Sequence, residues 1–276
     1  MSEAEQPIPA SDLPTRFVMG VVMIAVALVA IYVGGWVFRL LVLAGAAVML
    51  VEWADMHRVE RRWGYAGSAL LAVLLLGFME TLYPASQQDE VLSPASFEPA
   101  WQGFGLAVAF ALVLGLITRR LTMAGGFLYV AIPAFAALVL SWAWAPIVFW
   151  VMIVTWSTDI FAYFAGRSIG GAKLAPRISP NKTWAGLVGG MAGAAVMGAL
   201  TARWFELGSP FVYVGALMGL IAQGGDLYES WLKRRAGVKD SGTILPGHGG
   251  ALDRLDGLLP VILATLGLLM AGYWTA

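Results

Sequence analysis

The sequence predicts an all-α, polytopic integral membrane protein, and three observations lead to that prediction. Hydrophobic residues make up 59% of the 276 positions. Charged residues make up only 12%, whereas soluble domains carry roughly 25%. Apolar runs of about 20 residues recur along the chain, which is the length that a helix needs to cross a bilayer. Because a spanning segment must satisfy its own backbone hydrogen bonds, we expect these runs to be helices.

About nine apolar segments are candidate spans, and they set the domain organisation. Residues 1–16 contain three prolines and three acids and are expected to form a disordered tail, without the features of a secretory signal. Residues 17–276 are expected to form a single membrane-embedded domain, although Arg39 interrupts its second span. The candidate spans are residues 17–35, 36–54, 65–83, 101–118, 123–142, 145–166, 184–202, 209–228 and 257–274.

Basic residues predict the orientation of these spans, because Lys and Arg accumulate on the cytoplasmic side of a membrane. With the N-terminus in the cytoplasm, all of the 17 basic residues except Arg39 and Arg203 fall in cytoplasmic segments. The loop at 83–100 holds three acids and no base, as expected outside. The pattern predicts a cytoplasmic N-terminus and an external C-terminus. It also predicts two polar cytoplasmic loops, 167–183 and 229–256.

The overall charge and the cysteine content exclude some partners and sites. The formal net charge is zero, so no bulk basic character indicates a nucleic-acid partner. Cysteine is absent, which excludes disulfides and thiol-ligated metals. Small residues recur at every fourth position of the seventh span, which favours close packing against another helix within the protomer or across a dimer. They are Gly186, Gly190, Ala194 and Gly198.

Most of the unusual polar residues lie between 225 and 257, and three acids stand out. Asp226 lies at the inner end of an apolar helix, where a carboxylate is costly unless it faces a cavity or a partner. Asp253 and Asp256 are three residues apart and share one face of a helical turn. Converging carboxylates without His or Cys ligands suit a hard cation such as Mg²⁺.

Basic side chains and glycines surround these acids. The cations suit phosphate oxygens, and the glycines allow backbone amides to approach an anion. Together with a metal, this combination indicates phosphoryl or nucleotidyl transfer. The cations are Lys233, Arg234, Lys239 and Arg254, and the glycines are Gly247, Gly249 and Gly250.

Structural interpretations remain open for several of these residues when each is taken alone. Lys233 and Arg234, with Arg235, are also typical of a cytoplasmic cluster whose chains reach towards the headgroups. His248 is also compatible with an ordinary loop histidine, and Asp253 with a partner of Arg254. Asp159, further back in the chain, is equally compatible with a buried acid bonded to a neighbouring helix.

A second polar stretch, residues 159–186, ends at the start of the seventh span. Ser179 or Thr183 is placed to cap that helix, and Lys182 would then lie near its positive N-terminus. A helix start beside a lysine is a plausible anion site, although a capped helix explains most of the pattern.

At this point the two stretches resemble the phosphatidate cytidylyltransferase, or CDP-diacylglycerol synthase, family. The family's C-terminal signature runs S-x-x-K-R-x-x-x-x-K-D, a short spacer, and H-G-G-x-x-D-R-x-D. The matching residues are Ser230, Lys233, Arg234, Lys239, Asp240, His248, Gly249, Gly250, Asp253, Arg254 and Asp256. The earlier stretch is similar at Asp159, Ala162, Tyr163, Gly166, Arg167, Ser179, Pro180, Lys182 and Thr183. The chain departs from the family at Ala251, where a larger aliphatic residue is common, and at Ala185, where an acid is common.

The resemblance implies conversion of CTP and phosphatidate to CDP-diacylglycerol and pyrophosphate, with Mg²⁺ and room for a second, monovalent cation such as K⁺. It implies a homodimer in the bacterial cytoplasmic membrane, with a cavity that opens to the cytoplasm and the bilayer. The implied metal ligands are Asp226, Asp253 and Asp256. The implied phosphate-binding residues are Lys182, Lys233, Arg234, Lys239 and Arg254, and Asp240 would position Lys239 or a metal-bound water. The implied nucleotide and substrate contacts are His248, Gly247, Gly249, Gly250, Ser179, Thr183 and Ser230.

Two other functions share some of these features. A transporter for an anionic solute also uses charges within the membrane and glycine-interrupted helices. Another CTP-dependent membrane lipid enzyme, such as a polyprenol kinase, would also need cations beside acids. Clustering of the charges at one face, without a visible inverted repeat, favours the enzyme over the transporter.

Overall fold

The elements of the structure are almost all helices, as the apolar composition predicts. The protein is described by a computed structural model over residues 12–84, 94–244 and 249–272. The helices of the first half are α1 (Asp12–Val33), α2 (Gly35–Met56), α3 (Arg61–Ala72), α4 (Met79–Leu82), α5 (Glu98–Thr118) and α6 (Leu121–Ala143). Those of the second half are α7 (Ala145–Ser168), α8 (Trp184–Trp204), α9 (Ser209–Tyr213), α10 (Gly215–Ala236), α11 (Leu252–Leu255) and α12 (Leu258–Met270). A π-helical segment, Val73–Phe78, joins α3 to α4, and a 3-10 turn, Pro94–Phe97, precedes α5.

Six helices of the described chain are long and apolar enough to cross a membrane, which agrees with an all-α membrane protein. They are Gly35–Met56, Arg61–Leu82, Glu98–Thr118, Leu121–Ala143, Ala145–Ser168 and Trp184–Trp204. The remaining predicted spans fall short of that standard for separate reasons. The apolar part of α1 and the whole of α12 are short, and the last turns of α10 carry Lys233, Arg234 and Arg235.

Two predicted boundaries differ from the structure. Helix α1 begins at Asp12, so residues 12–16 of the expected tail are helical, while residues 1–11 lie outside the described chain. Pro14 falls in the first turn, where a proline costs no helical hydrogen bond. Helix α10 continues to Ala236, so the second polar loop begins at Gly237 rather than at 229. Gly237 adopts a left-handed conformation (φ 77°) that ends the helix.

Helix α6 is the centre of the bundle. Within its apolar window, 72% of the residues are buried inside the protein, against 33% for α5 and for α8. The outer helices instead expose large apolar side chains, for which a lipid environment carries no penalty. Examples are Val29, Leu40, Leu112, Leu116, Val196 and Leu200.

An ion pair explains how a span accommodates Arg39. Its guanidinium lies against the carboxylate of Glu80 and over the ring of Trp36, 5.1 Å from the ring centroid. The Arg39 side chain is only 11% exposed. Pairing of this kind is the usual way in which a membrane helix carries a charge.

The row of small residues in α8 packs against helices of the same protomer, which is one of the two arrangements that the sequence predicts. A Cβ atom at Gly190 would lie 2.9 Å from the carbonyl oxygen of Thr158 in α7. On the facing helix α10, a Cβ atom at Gly215 would lie 2.5 Å from the carbonyl oxygen of Ala194. Glycine therefore lets α7, α8 and α10 meet backbone to backbone.

A short hairpin occupies the first polar loop. Strands β1 (Lys173–Ala175) and β2 (Ser179–Thr183) are antiparallel and pair Lys173 with Thr183. The hairpin delivers the chain directly into α8. It therefore fixes the direction in which Lys182 leaves the backbone.

Candidate active site

Thr183 caps α8 and places the preceding lysine. Its Oγ1 accepts the backbone N–H of Gly186 at 3.0 Å. Of the two predicted capping candidates, Ser179 and Thr183, it is therefore Thr183 that caps the helix. Ser179 instead lies at the start of β2, where it pairs with Ala175. Thr183 is buried, and its hydroxyl is committed to the helix rather than open to a ligand.

Lys182 reaches across to α10. Its Nζ lies 2.5 Å from Oδ2 of Asp226, and the two side chains are 19% and 34% exposed. Ser230, one turn further along α10, donates to the other carboxylate oxygen of Asp226 at 3.4 Å. The structure therefore brings together an expected phosphate ligand and an expected metal ligand, which come from different polar stretches of the sequence.

A second ion pair joins α10 to α11. Lys233 Nζ donates to Oδ1 of Asp253 at 2.5 Å and also lies 3.4 Å from Oε1 of Glu229. Glu229 is 1% exposed, so Lys233 is the charge that offsets a carboxylate enclosed in the protein. Lys233 thus joins α10 to α11 through two acidic side chains.

Asp253 organises the loop around itself. Its Oδ2 accepts the backbone N–H of Ser241 and of Gly250, each at 2.9 Å, and the Ser241 hydroxyl at 3.0 Å. Burial alone would raise the pKa of Asp253, but the hydrogen bonds from Lys233 and from these amides outweigh it and hold the pKa below its usual value. Both oxygens of Asp253 are therefore occupied by groups of the protein itself.

Glu52 of α2 holds the same loop from the opposite side. It is buried, and its carboxylate accepts the backbone N–H of Ala251 at 2.9 Å, that of Leu252 at 3.0 Å, and the Ser241 hydroxyl at 3.2 Å. A Cβ atom at Gly242 or at Gly250 would lie 2.6 Å from this carboxylate. In this structure the N–H of Gly250 binds Asp253 rather than an external anion, and the missing side chain of Gly250 makes room for Glu52.

Gly249 is the other described member of the three predicted glycines, and it also lies against Asp253. Its φ of 79° is left-handed, and a Cβ atom there would lie 2.9 Å from Oδ2 of Asp253. The predicted nucleotide contacts Gly247 and His248 lie outside the described residues.

Asp226 and Asp256 form the acidic part of the site, together with Glu229 and Asp159. Burial raises the pKa of Asp256 to about 6, and repulsion from Asp226 adds to the shift. The backbone N–H of Gly257 donates to Asp256 at 2.7 Å. Asp159, in the second half of α7, interacts electrostatically with both aspartates and with Lys182. A cation bound between Asp226 and Asp256 would relieve the repulsion between these two acids.

The predicted metal triad is not assembled as such. Among the described residues, no three His, Cys, Asp or Glu side chains are grouped so as to hold a metal ion. Asp253 is bound by Lys233 and its own loop, whereas Asp226 pairs with Lys182 and repels Asp256. The three acids lie in one region of the bundle but have different surroundings.

The remaining predicted cations lie on the exposed rim of this region. Arg234 donates to the carbonyl oxygens of Ile178 in the hairpin and of Val238, both at 3.4 Å. This contact brings the two predicted polar loops together. Lys239, Asp240 and Arg254 are exposed, and Arg254 interacts electrostatically with Asp159.

Two site residues were missed by the sequence reasoning. Glu52 lies near the end of an apolar run, where the cost of a carboxylate is itself a signal that it has a partner. Glu229 stands three residues after Asp226, so both face the same side of α10, and this spacing was visible in the sequence. Neither residue belongs to the family signature or to the earlier stretch that resembles the family.

Comparison with known proteins places these residues in a family context. The model of the cytidylyltransferase family matches residues 14–271. A phosphatidate cytidylyltransferase of Brucella abortus is 37% identical over 264 residues, which are 90% of this chain and 90% of the relative. Enzymes of the same name from Pseudomonas aeruginosa and Bacillus subtilis are 34% and 32% identical. Their matches cover 96% and 91% of this chain, and 99% and 95% of those relatives.

Proposed function

The chain belongs to the cytidylyltransferase family, and from that premise we propose that it converts CTP and phosphatidate to CDP-diacylglycerol and pyrophosphate. One observation in the structure carries the proposal. Two lysines from separate polar stretches, Lys182 and Lys233, converge with Asp226 and Asp253 at one end of an apolar bundle. Such a site presents cations to phosphates at a membrane surface, where a lipid phosphate and a soluble nucleotide can meet.

The reaction needs charge compensation more than it needs a base. A phosphate oxygen of phosphatidate attacks the α-phosphorus of CTP, and the bond from that phosphorus to the bridging oxygen of the β-phosphate breaks. The nucleophile is already an anion, so no strong general base is required. The barrier lies in bringing two polyanions together and in stabilising the pyrophosphate that leaves.

The roles of the basic residues follow from their positions. Lys182 and Lys233 are held in the interior by acids, which fixes their direction before substrate arrives. Arg234, Lys239 and Arg254 are exposed on the rim and are placed to attract the triphosphate from solution. Asp240 is exposed beside Lys239 and is assigned to positioning it.

Mg²⁺ is part of the proposal, with a smaller ligand set than the sequence indicated. Asp226 and Asp256 fit a hard cation, because they offer carboxylate oxygens, repel one another and are partly enclosed. Asp253 is left out of the set, because its side chain is only 10% exposed and accepts four hydrogen bonds, from Lys233, Ser241 and Gly250. Asp226 is 34% exposed and is bound by Lys182 and, at 3.4 Å, by Ser230. When bound, Mg²⁺ would supply positive charge to the reacting phosphates.

The proposal includes nine crossings, with the site at the cytoplasmic face of a bacterial inner membrane. Three segments beyond the six apolar helices would complete the set: α1, α10 and α12. Helix α10 has 22 residues and is therefore about 33 Å long, enough to cross the bilayer with its basic end in the headgroups. A homodimer stays a prediction, since no contact between copies is described.

Product analysis with purified protein tests the function. Incubation with labelled CTP and phosphatidate should give labelled CDP-diacylglycerol and one pyrophosphate for each lipid product. A polyprenol kinase would instead release CDP and leave no cytidine in the lipid. A transporter would give no covalent product. Either of these two outcomes would contradict the proposal.

A further inference from the structure

An apolar cavity of about 330 Å³ lies between α6, α10 and α12 and has no role in the reaction described above. Its walls are formed by aliphatic and aromatic side chains of all three helices, together with two adjacent glycines of α10. Representative lining residues are Ile132, Gly224, Gly225, Tyr228 and Leu263. A cavity of this size is in the range of ligand pockets.

The cavity adjoins the charged site. Gly225, which lines it, immediately precedes Asp226 in α10. A Cβ atom at Gly225 would lie 2.4 Å from the backbone oxygen of Asp256, so the wall of the cavity at Gly225 packs directly against Asp256. Tyr129 also lines the cavity, and it interacts electrostatically with Glu229 and Asp256. One end of the cavity therefore adjoins the groups that would handle the phosphate.

The two neighbouring glycines have different surroundings. Gly225 is closely packed, whereas a Cβ atom at Gly224 would meet nothing within 4 Å. Gly224 is also exposed, although it lies inside a helix, where glycine is the least favourable residue after proline. A larger residue would be accepted by the fold at this position, and it would take up space in the cavity.

The chemistry of the walls identifies the occupant. A cytosine ring or a triphosphate would leave its polar groups unpaired against aliphatic side chains. A hydrocarbon chain loses nothing there and gains contact with the walls. Resting on the proposed function, which makes phosphatidate the lipid substrate, we propose that this cavity receives one of its fatty-acyl chains and that Gly224 sets the space available.

The test is to fill the cavity and measure chain-length preference. Gly224→Leu replaces a glycine with a good helix former, and Gly105→Leu is the matched control. Gly105 lies within α5, is exposed and has nothing within 4 Å of a Cβ atom, but it does not line the cavity. The kcat/KM of each protein is measured with dihexanoyl and dioleoyl phosphatidate at equal surface concentration in mixed micelles.

We expect the wild-type protein and Gly105→Leu to prefer the long-chain substrate. In Gly224→Leu the kcat/KM for dioleoyl phosphatidate should fall at least tenfold, with a much smaller change for the dihexanoyl lipid. Loss of contact with two methylenes would suffice, since each contributes about a fourfold change in affinity. An active Gly224→Leu protein with wild-type chain preference would overturn the inference. A wild-type protein that makes no CDP-lipid from either substrate would overturn the proposed function instead.

Photolabelling of the wild-type protein keeps the inference testable if Gly224→Leu does not fold. The probe is a phosphatidate with a diazirine in the middle of one acyl chain. Label on α6, α10 and α12 at the cavity, reduced by excess unlabelled dioleoyl phosphatidate, is the expected result. Label confined to the lipid-facing surfaces of α1 and α5 would overturn it.

Discussion

Glu52 accepts the backbone N–H of Leu252 at 3.0 Å across 200 positions of sequence. The same carboxylate accepts Ala251 N–H and the Ser241 hydroxyl, while Asp253 bonds to the loop from within. An acid of the second helix thus holds the polar loop of the site in place. Because Glu52 contacts no group that is assigned to substrate, its action is positioning.

Glu52→Gln should therefore impair both stability and activity. The amide of glutamine keeps one acceptor oxygen, but its NH₂ group would replace the other. That NH₂ group would then face N–H or O–H donors that now bind a carboxylate oxygen of Glu52. Hydrogen bonds to a charged group contribute about 1.5–3 kcal/mol, so we expect a lower melting temperature in detergent and a fall in kcat of about tenfold or more. Glu98→Gln is the control, because Glu98 is exposed at the start of α5. If Glu52→Gln melts and turns over like that control, Glu52 does not position the loop.

The long apolar helices were predictable, whereas the arrangement of the loop was not. The expected spans 123–142 and 145–166 match α6 and α7 to within two residues at each end, because hydropathy alone decides where such a helix runs. Asp253 pairs with Lys233 instead of joining Asp226 and Asp256 in a metal site. That choice depends on a tertiary contact that no local pattern encodes. The position of Glu52 near the end of an apolar run indicates that it has a partner, but which groups it binds depends on tertiary contacts as well. The charge-rich end of α10 continued as helix because its basic side chains can leave the bilayer at that end.

The ion pair between Lys182 and Asp226 yields a second prediction, by a double-mutant cycle. Lys182→Met leaves the carboxylate of Asp226 without a partner, and Asp226→Asn leaves the Lys182 ammonium without one. Each single variant should therefore lose both stability and activity. If both residues also contact substrates, the double variant should recover stability but not kcat/KM. Recovery of both would reduce the pair to a structural contact. Arg62→Met with Glu60→Gln is the control cycle, since that pair is exposed and expected to contribute little.

The nine-crossing layout predicts the side on which each end of the chain lies. A reporter that is active only outside the cytoplasm should be active when fused after Ala276 and inactive when fused in the loop that follows Gly237. Fusion at residue 272, the end of the described chain, is the control for any effect of the last residues. A cytoplasmic signal from the C-terminal fusions would rule out an odd number of crossings, and with it this layout.

The last prediction separates the three aspartates by their response to Mg²⁺. Asp→Asn preserves shape and removes charge, so Asp226→Asn and Asp256→Asn should each weaken metal binding and shift the Mg²⁺ dependence of activity to higher concentration. At limiting Mg²⁺ the rate should fall about 10²-fold, or roughly 3 kcal/mol, the scale of a lost transition-state contact.

Asp253→Asn should also lose activity, and its melting temperature should fall because Lys233 and two backbone amides lose a charged acceptor. Its Mg²⁺ midpoint, however, should stay at the wild-type value. A shifted midpoint in Asp253→Asn would restore the three-acid site that the sequence indicated. Unchanged midpoints in Asp226→Asn and Asp256→Asn would remove the metal from this pair.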